Sequence, residues 1–161
     1  MKARTLSKRE GEEVITIIRK SWPKDIELGK AKGIKSIECD EDTQILILER
    51  IKAIKTNEGV FPFLDQKETL ENFPKIEVDL GAIKYVCNGA DVMRPGIKIF
   101  KDEFKKGDIV AIQEEKYKKY IAVGIAAFSS SELEISKKGM AIKNNHYVGD
   151  KAWEEGKKSG V

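Results

Sequence analysis

Residues 78–97 read VDLGAIKYVCNGADVMRPGI. The stretch leaves a strand, crosses a short helix and ends on a Pro-Gly turn. Asp79 stands where a helix beginning near Ala82 needs its N-cap acceptor. Ala82, Ile83, Val86 and Cys87 share one face at helical spacing. Asn88-Gly89 closes the helix, with Gly89 at the left-handed C′ position that glycine occupies at little cost. A helix of about two turns is unstable alone, so it must be pinned by packing on a sheet.

Two readings of Gly81 stand open. A residue without a side chain lets a ligand approach the backbone, and the first N–H groups of a helix, with the positive dipole end behind them, suit an anion. Alternatively, Gly81 only relieves a tight strand-to-helix turn. Neither the P-loop nor the Rossmann glycine spacing is present. Met93-Arg94-Pro95-Gly96 reads as a type II turn with Pro95 and Gly96 at its centre. Pro95 pushes Arg94 toward extended backbone. Arg94 is the only arginine after Arg50. It is either a bidentate phosphate or base-stacking group, or an ordinary surface arginine at a turn.

The 161 residues allow one ordinary domain or two small ones. Thirty basic and 27 acidic side chains leave a net charge of +3, so any polyanion site is a local patch rather than a global field. Cys39 and Cys87 lie far apart with no CxxC, which argues for a reducing compartment and against a disulfide scaffold. No apolar run is long enough for a membrane span, and the first residues lack a signal-peptide core. The expectation is a soluble, cytoplasmic protein.

Ser7 followed by Glu10 is a capping-box signature, and the apolar spacing predicts a helix over 8–21, stopped by Pro23. Strands are expected at 34–39, across 43–57 as two short strands or one bent one, and at 58–64. Pro62 restricts that last segment to an edge or a strand end. A helical turn over 65–74 ends at Pro74. Beyond it come short strands at 76–79, 97–100, 107–113, 119–127 and 140–144, with one helix at 82–88 and another at 129–138 closed by Gly139. Many short strands between Gly and Pro turns indicate a small barrel. The division expected is 1–74, 75–153 and a frayed tail at 154–161.

Taken with GDIVAI at 107–112, AVGIAAFSSSEL at 122–133 and KGMAIKNNHYVGDKAW at 138–153, the opening stretch resembles the PUA domain. The whole layout is similar to archaeal relatives of the MCT-1/Tma20 family, the malignant T-cell-amplified sequence proteins. That resemblance implies an α+β chain: a small N-terminal pre-PUA domain, then a C-terminal PUA pseudo-barrel of short strands with two short helices. It implies a non-enzymatic protein that binds structured RNA, rRNA or tRNA, on the small ribosomal subunit with initiation factors, during initiation or recycling. No cofactor, metal, membrane or DNA is expected. The RNA face it implies comprises Asp79, Leu80, Gly81 and Ala82; Val92, Met93, Arg94, Pro95 and Gly96; and a late strand near Ala141 and Ile142 with Lys143 and Asn144. The alternative is an accessory specificity module for a separate tRNA transglycosylase or pseudouridine synthase; a protein-binding adaptor is a third class.

Other constellations carry less. His146 is the only histidine, there is no G-x-S-x-G elbow, and the resemblance places His146 in a closing motif with Tyr147, Asp150 and Trp153. Cys39, Cys87 and His146 match no zinc spacing. Ser129 to Glu132 read as a helix cap rather than nucleophiles. EEKYKKY at 114–120 interleaves lysines with tyrosines, either as a solvated hairpin turn or as an RNA contact.

Overall fold

The computed structural model describes residues 2–161. The chain divides into two compact units: one runs to Asn72 and also takes in Lys151–Val161, and the other is Phe73–Asp150.

In the first unit, β1 (Ala3–Thr5), β2 (Lys35–Glu38), β3 (Gln44–Ile47), β4 (Lys52–Thr56) and β5 (Gly59–Pro62) form an antiparallel sheet in chain order. Pro62 ends the edge strand, where no neighbour needs its missing N–H. Helix α1 (Lys8–Ser21) carries the expected capping box between Ser7 and Glu10, and the single-turn helix α2 (Lys67–Leu70) follows β5. A hydrogen bond from Arg4 and further ones from Ser7 push the Glu10 carboxyl down to about 2, which fastens β1 to the start of α1. Gly11 lets α1 lie against the chain at Ala31: a Cβ there would fall 1.9 Å from the Ala31 carbonyl oxygen.

The unbroken apolar run in β3 has a simple cause. Leu46 lies beside Val14 and Ile17 of α1, whereas Ile45, on the opposite pleat, lies beside helix α5 (Lys151–Ser159). Both faces of the sheet are therefore covered. This corrects the expectation of a frayed tail at 154–161. Trp153 stacks on Phe63 with ring centres 6.1 Å apart. Gly156 is buried, and a Cβ on it would come within 3.0 Å of the Phe63 ring. The helix tolerates a low-propensity glycine because that residue lets it lie close to the sheet.

The second unit is a curled, half-barrel sheet. Its strands are β6 (Lys75–Val78), β7 (Val92–Met93), β8 (Ile97–Phe100), β9 (Ile109–Glu114), β10 (Tyr120–Ala126) and β11 (Met140–Tyr147), in the order β7-β11-β10-β9-β6-β8. Only β6 and β9 run parallel; the other neighbours are antiparallel. Ile76, Val78, Val110, Ile112, Ala122 and Ile142 centre the core, and β9 is buried along its whole length. Where β10 meets β11, Val123 pairs with His146 but Gly124 with Asn144, so Asn145 is bulged out.

Three local expectations change. The helix expected at 82–88 is a 3-10 turn, Leu80–Ala82, followed by the single-turn helix α3 (Ile83–Val86). The helix expected at 129–138 is α4 (Ser130–Ile135); Ser136 is already extended, and Gly139, at φ +96°, turns the chain into β11. Arg94–Gly96 is a 3-10 turn and not type II, since Gly96 does not adopt a positive φ. The Arg94 N–H donates to the Gly139 carbonyl at 2.8 Å, and that long-range bond sets the turn.

Candidate nucleic-acid interface

Strand β6 ends at Val78, and Asp79 continues extended as an N-cap. Its Oδ1 accepts the Ala82 N–H at 2.9 Å. The neighbouring Leu80 N–H donates to Glu115 Oε2 at 2.8 Å, and the Glu115 N–H returns to the Val78 carbonyl at 3.0 Å. Of the two readings of Gly81, these bonds favour the tight turn over the anion site. Two of its donors are held by the protein's own carboxylates, and α3 is too short to supply a sustained dipole. A phosphate placed there would face Asp79 and Glu115. Gly81 is exposed and needs no unusual φ; a Cβ on it would touch only Asp79 Oδ1, at 3.2 Å.

The second wall is fixed from several sides. The Asp79 N–H donates to the Gly96 carbonyl at 3.0 Å, which joins the start of the 3-10 turn to the Pro95-Gly96 turn. Val92 points into the core at 1% exposure, while Met93, its neighbour on the other pleat, is 50% exposed beside Met140. Asn144 donates through Nδ2 to the Val86 and Ala90 carbonyls, both at 3.0 Å, and its N–H donates to Asp91 Oδ1 at 2.9 Å. Gly89 takes the left-handed conformation, φ +96°, as its position requires. Lys143 is exposed on the adjoining strand.

Arg94 is placed otherwise than as a free phosphate ligand. Its Nε donates to the Leu133 carbonyl in the last turn of α4, and Nη1 donates to the Ile97 carbonyl at 3.3 Å. The guanidinium also lies 5.0 Å from the centre of the Phe100 ring. Its planar fork is engaged within the fold, at the carbonyl end of a helix where a cation is favoured.

Between the two walls lies a hollow of about 430 Å³. Asp79, Gly81, Ala82, Val92, Met93, Pro95 and Gly96 line it; Leu80, Arg94, Lys143 and Asn144 lie outside its lining. Sequence reasoning missed four lining residues, Tyr85, Val86, Ala90 and Asp91. Tyr85 is 60% exposed, next to the buried Val86, with Lys84 Nζ 5.1 Å from its ring centre. An aromatic outside the buried stripe of so short a helix was the signal available. The lining is apolar and aromatic with two carboxylates, suited to a flat ring bearing N–H donors and unsuited to a phosphate.

The buried carboxylates nearby are structural. Burial pushes Glu77 upward, but hydrogen bonds from Lys118 and Lys101 together outweigh it and hold the carboxyl below its ordinary range. Glu114 behaves alike, burial being overcome by backbone N–H groups of the β9–β10 turn. A depressed folded pKa contributes stability that is complete above the unfolded value, near 4.5, and is lost as pH falls through the folded values. Glu77→Gln should therefore destabilise at neutral pH by an amount that shrinks on acidification. Urea midpoints of both proteins at pH 7 and near pH 3 check this.

His146 is fully buried, with Nδ1 2.7 Å from Asp150 Oδ2, which also accepts the Tyr147 N–H. Ser129 caps α4 reciprocally with Glu132. Among the described residues no group of three or more His, Cys, Asp or Glu could hold a metal, and no helix is long and apolar enough to cross a membrane.

Residues 74–148 match the PUA domain family. The chain is 38% identical over 152 residues to an uncharacterised protein of Methanocaldococcus jannaschii, which covers 92% of this chain and 93% of that one. It is 31% identical over 134 residues to malignant T-cell-amplified sequence 2 of Homo sapiens, covering 77% and 72% of the two chains. The chain belongs to the malignant T-cell-amplified sequence family of PUA-domain proteins. Translation machinery-associated protein 20 of Saccharomyces cerevisiae is similar at 28% identity over 147 residues, 83% of this chain and 81% of that one. A crystal structure of a hypothetical protein from Pyrococcus horikoshii superposes with a TM-score of 0.77 at 32% identity, covering 96% and 99%. A chain of an H/ACA RNP bound to a substrate RNA matches 58% of this chain and 28% of its own length, with a TM-score of 0.50 at 30% identity.

Proposed function

We propose that this chain is a non-enzymatic, cytoplasmic RNA-binding protein of the translation apparatus, and that the hollow beside Tyr85 and Met93 receives an unstacked base. The observation that carries the reading is this concave, aromatic-lined surface with Asp79 and Asp91 in its lining. A base can stack on Tyr85 while a carboxylate accepts from an exocyclic amine. Gly81, Ala82, Pro95 and Gly96 keep the walls low enough for close approach. Leu80 and Met93 supply apolar contact. Val92, Arg94 and Asn144 hold the walls in place, and Lys143 supplies charge to a flanking phosphate. The finer reading is rRNA or tRNA on the small ribosomal subunit, together with initiation factors, in initiation or recycling. The yeast relative named for the translation machinery supports it.

Fluorescence anisotropy with small-subunit rRNA fragments and tRNA tests this. Tyr85→Ala is expected to weaken binding by about tenfold, the scale of one lost stacking contact. Affinity should fall with salt on a log–log slope of roughly −1 to −3, a few phosphates' worth. Unchanged affinity in a folded Tyr85→Ala, Met93→Asp double variant would sink the assignment. The likeness to an H/ACA RNP chain favours a second reading, an RNA-specificity module for a separate modifying enzyme. Ribosomal subunits captured from native lysate support the first reading; a transglycosylase or pseudouridine synthase supports the second.

A further inference from the structure

The turn between β9 and β10 uses more buried polar groups than a hairpin needs. Glu114 is 4% exposed, and its Oε1 accepts the N–H groups of Lys116 and Tyr117 at 2.6 and 2.7 Å. Its other oxygen accepts the Lys119 N–H at 3.3 Å. Gln113, also buried, donates to the Lys118 carbonyl at 3.0 Å. Lys118 is the only non-glycine residue at positive φ among those described, at +58°. Its Nζ reaches the buried Glu77 at 2.7 Å and the Glu115 carbonyl at 2.6 Å. Buried carboxylates are costly, and a lysine stands at a left-handed position where a hairpin ordinarily uses glycine or asparagine.

What this bracing presents is Tyr117. The ring is 67% exposed, with Lys116 Nζ 5.1 Å and Lys119 Nζ 5.9 Å from its centre. Glu77 and Glu114 are turned inward, and Glu115 is tied to the Leu80 N–H. The outward groups at the tip are therefore one aromatic face and two cations. A rigid ring flanked by ammonium groups matches a base with phosphates on either side. The charge sign favours a polyanion over an apolar protein partner. Glu115 also ties the hairpin to Leu80, next in the chain to Asp79 of the hollow's lining.

We propose that the braced β9–β10 hairpin is a second RNA contact, with Tyr117 stacking an unpaired base and Lys116 and Lys119 neutralising its flanking phosphates. This rests on the reading that the chain binds RNA. The test uses a fluorescein-labelled single-stranded RNA of about a dozen nucleotides, titrated at several salt concentrations. Tyr117→Ala is expected to weaken binding by about tenfold, and Tyr117→Trp to retain it. A Lys116→Ala, Lys119→Ala variant should flatten the log–log salt slope by about 1.4. If Tyr117→Ala and the lysine variant bind as wild type while Tyr85→Ala is weakened, the hairpin assignment falls and the hollow stands. If the wild-type chain binds no RNA, both fall. A protein crosslinked at Tyr117, with RNA affinity unchanged by Tyr117→Ala, overturns the proposal in favour of a protein partner.

Discussion

Gly124→Ala is expected to destabilise the second unit by about 3 kcal/mol, at the upper end for an overpacking change. A Cβ at this position would sit 2.0 Å from the Lys143 carbonyl oxygen and 2.8 Å from a methyl of Ile142. The obstruction is backbone, so no side chain can swing aside. Relief requires the β10–β11 ladder to part at its bulge, and that ladder holds both Asn144, which clamps the hollow, and His146. A urea series measures the loss. Gly81→Ala is the matched control: its Cβ meets only Asp79 Oδ1, at 3.2 Å, and its φ is ordinary, so its midpoint should barely move.

Arg94→Ala should cost about 2–4 kcal/mol, by leaving the Leu133 and Ile97 carbonyls without their donor and stripping the cation from Phe100. Arg94→Lys should recover little, because a single ammonium cannot occupy both directions of the guanidinium fork. At temperatures where the variant remains folded, the salt slope for RNA should equal that of wild type. A slope reduced by about one phosphate together with unchanged stability would show instead that Arg94 reaches RNA directly.

The parts of this fold that were legible in sequence are those decided locally. Ser7 with Glu10, Asp79 as a cap and Gly89 as a helix stop each rest on contacts within a few residues, and the strands after Pro74 show in their own run of apolar residues between glycines even though their partners are distant. The parts that were not legible rest on distant partners. Glu115 takes the Leu80 N–H from 35 positions away, and so closes what looked like an open helix start. Arg94 is engaged by Leu133, 39 positions on, and its own N–H by Gly139. Pro95-Gly96 fits a type II or a 3-10 turn equally well until those bonds are known. Helix α5 was hidden by composition: its sequence is mostly charge, and Ala152, Trp153 and Gly156 are its main grip on the sheet.

That late helix also sets an order of events during synthesis. The face of the first sheet bearing Ile45 and Phe63 is covered by residues translated after the whole of the second unit. As the chain emerges, Phe73–Asp150 is already whole while the opening unit still awaits its final piece. Vectorial folding ordinarily completes N-terminal domains first. Here the first unit closes after the second, and its unshielded apolar face waits until Lys151–Ser159 clears the exit tunnel.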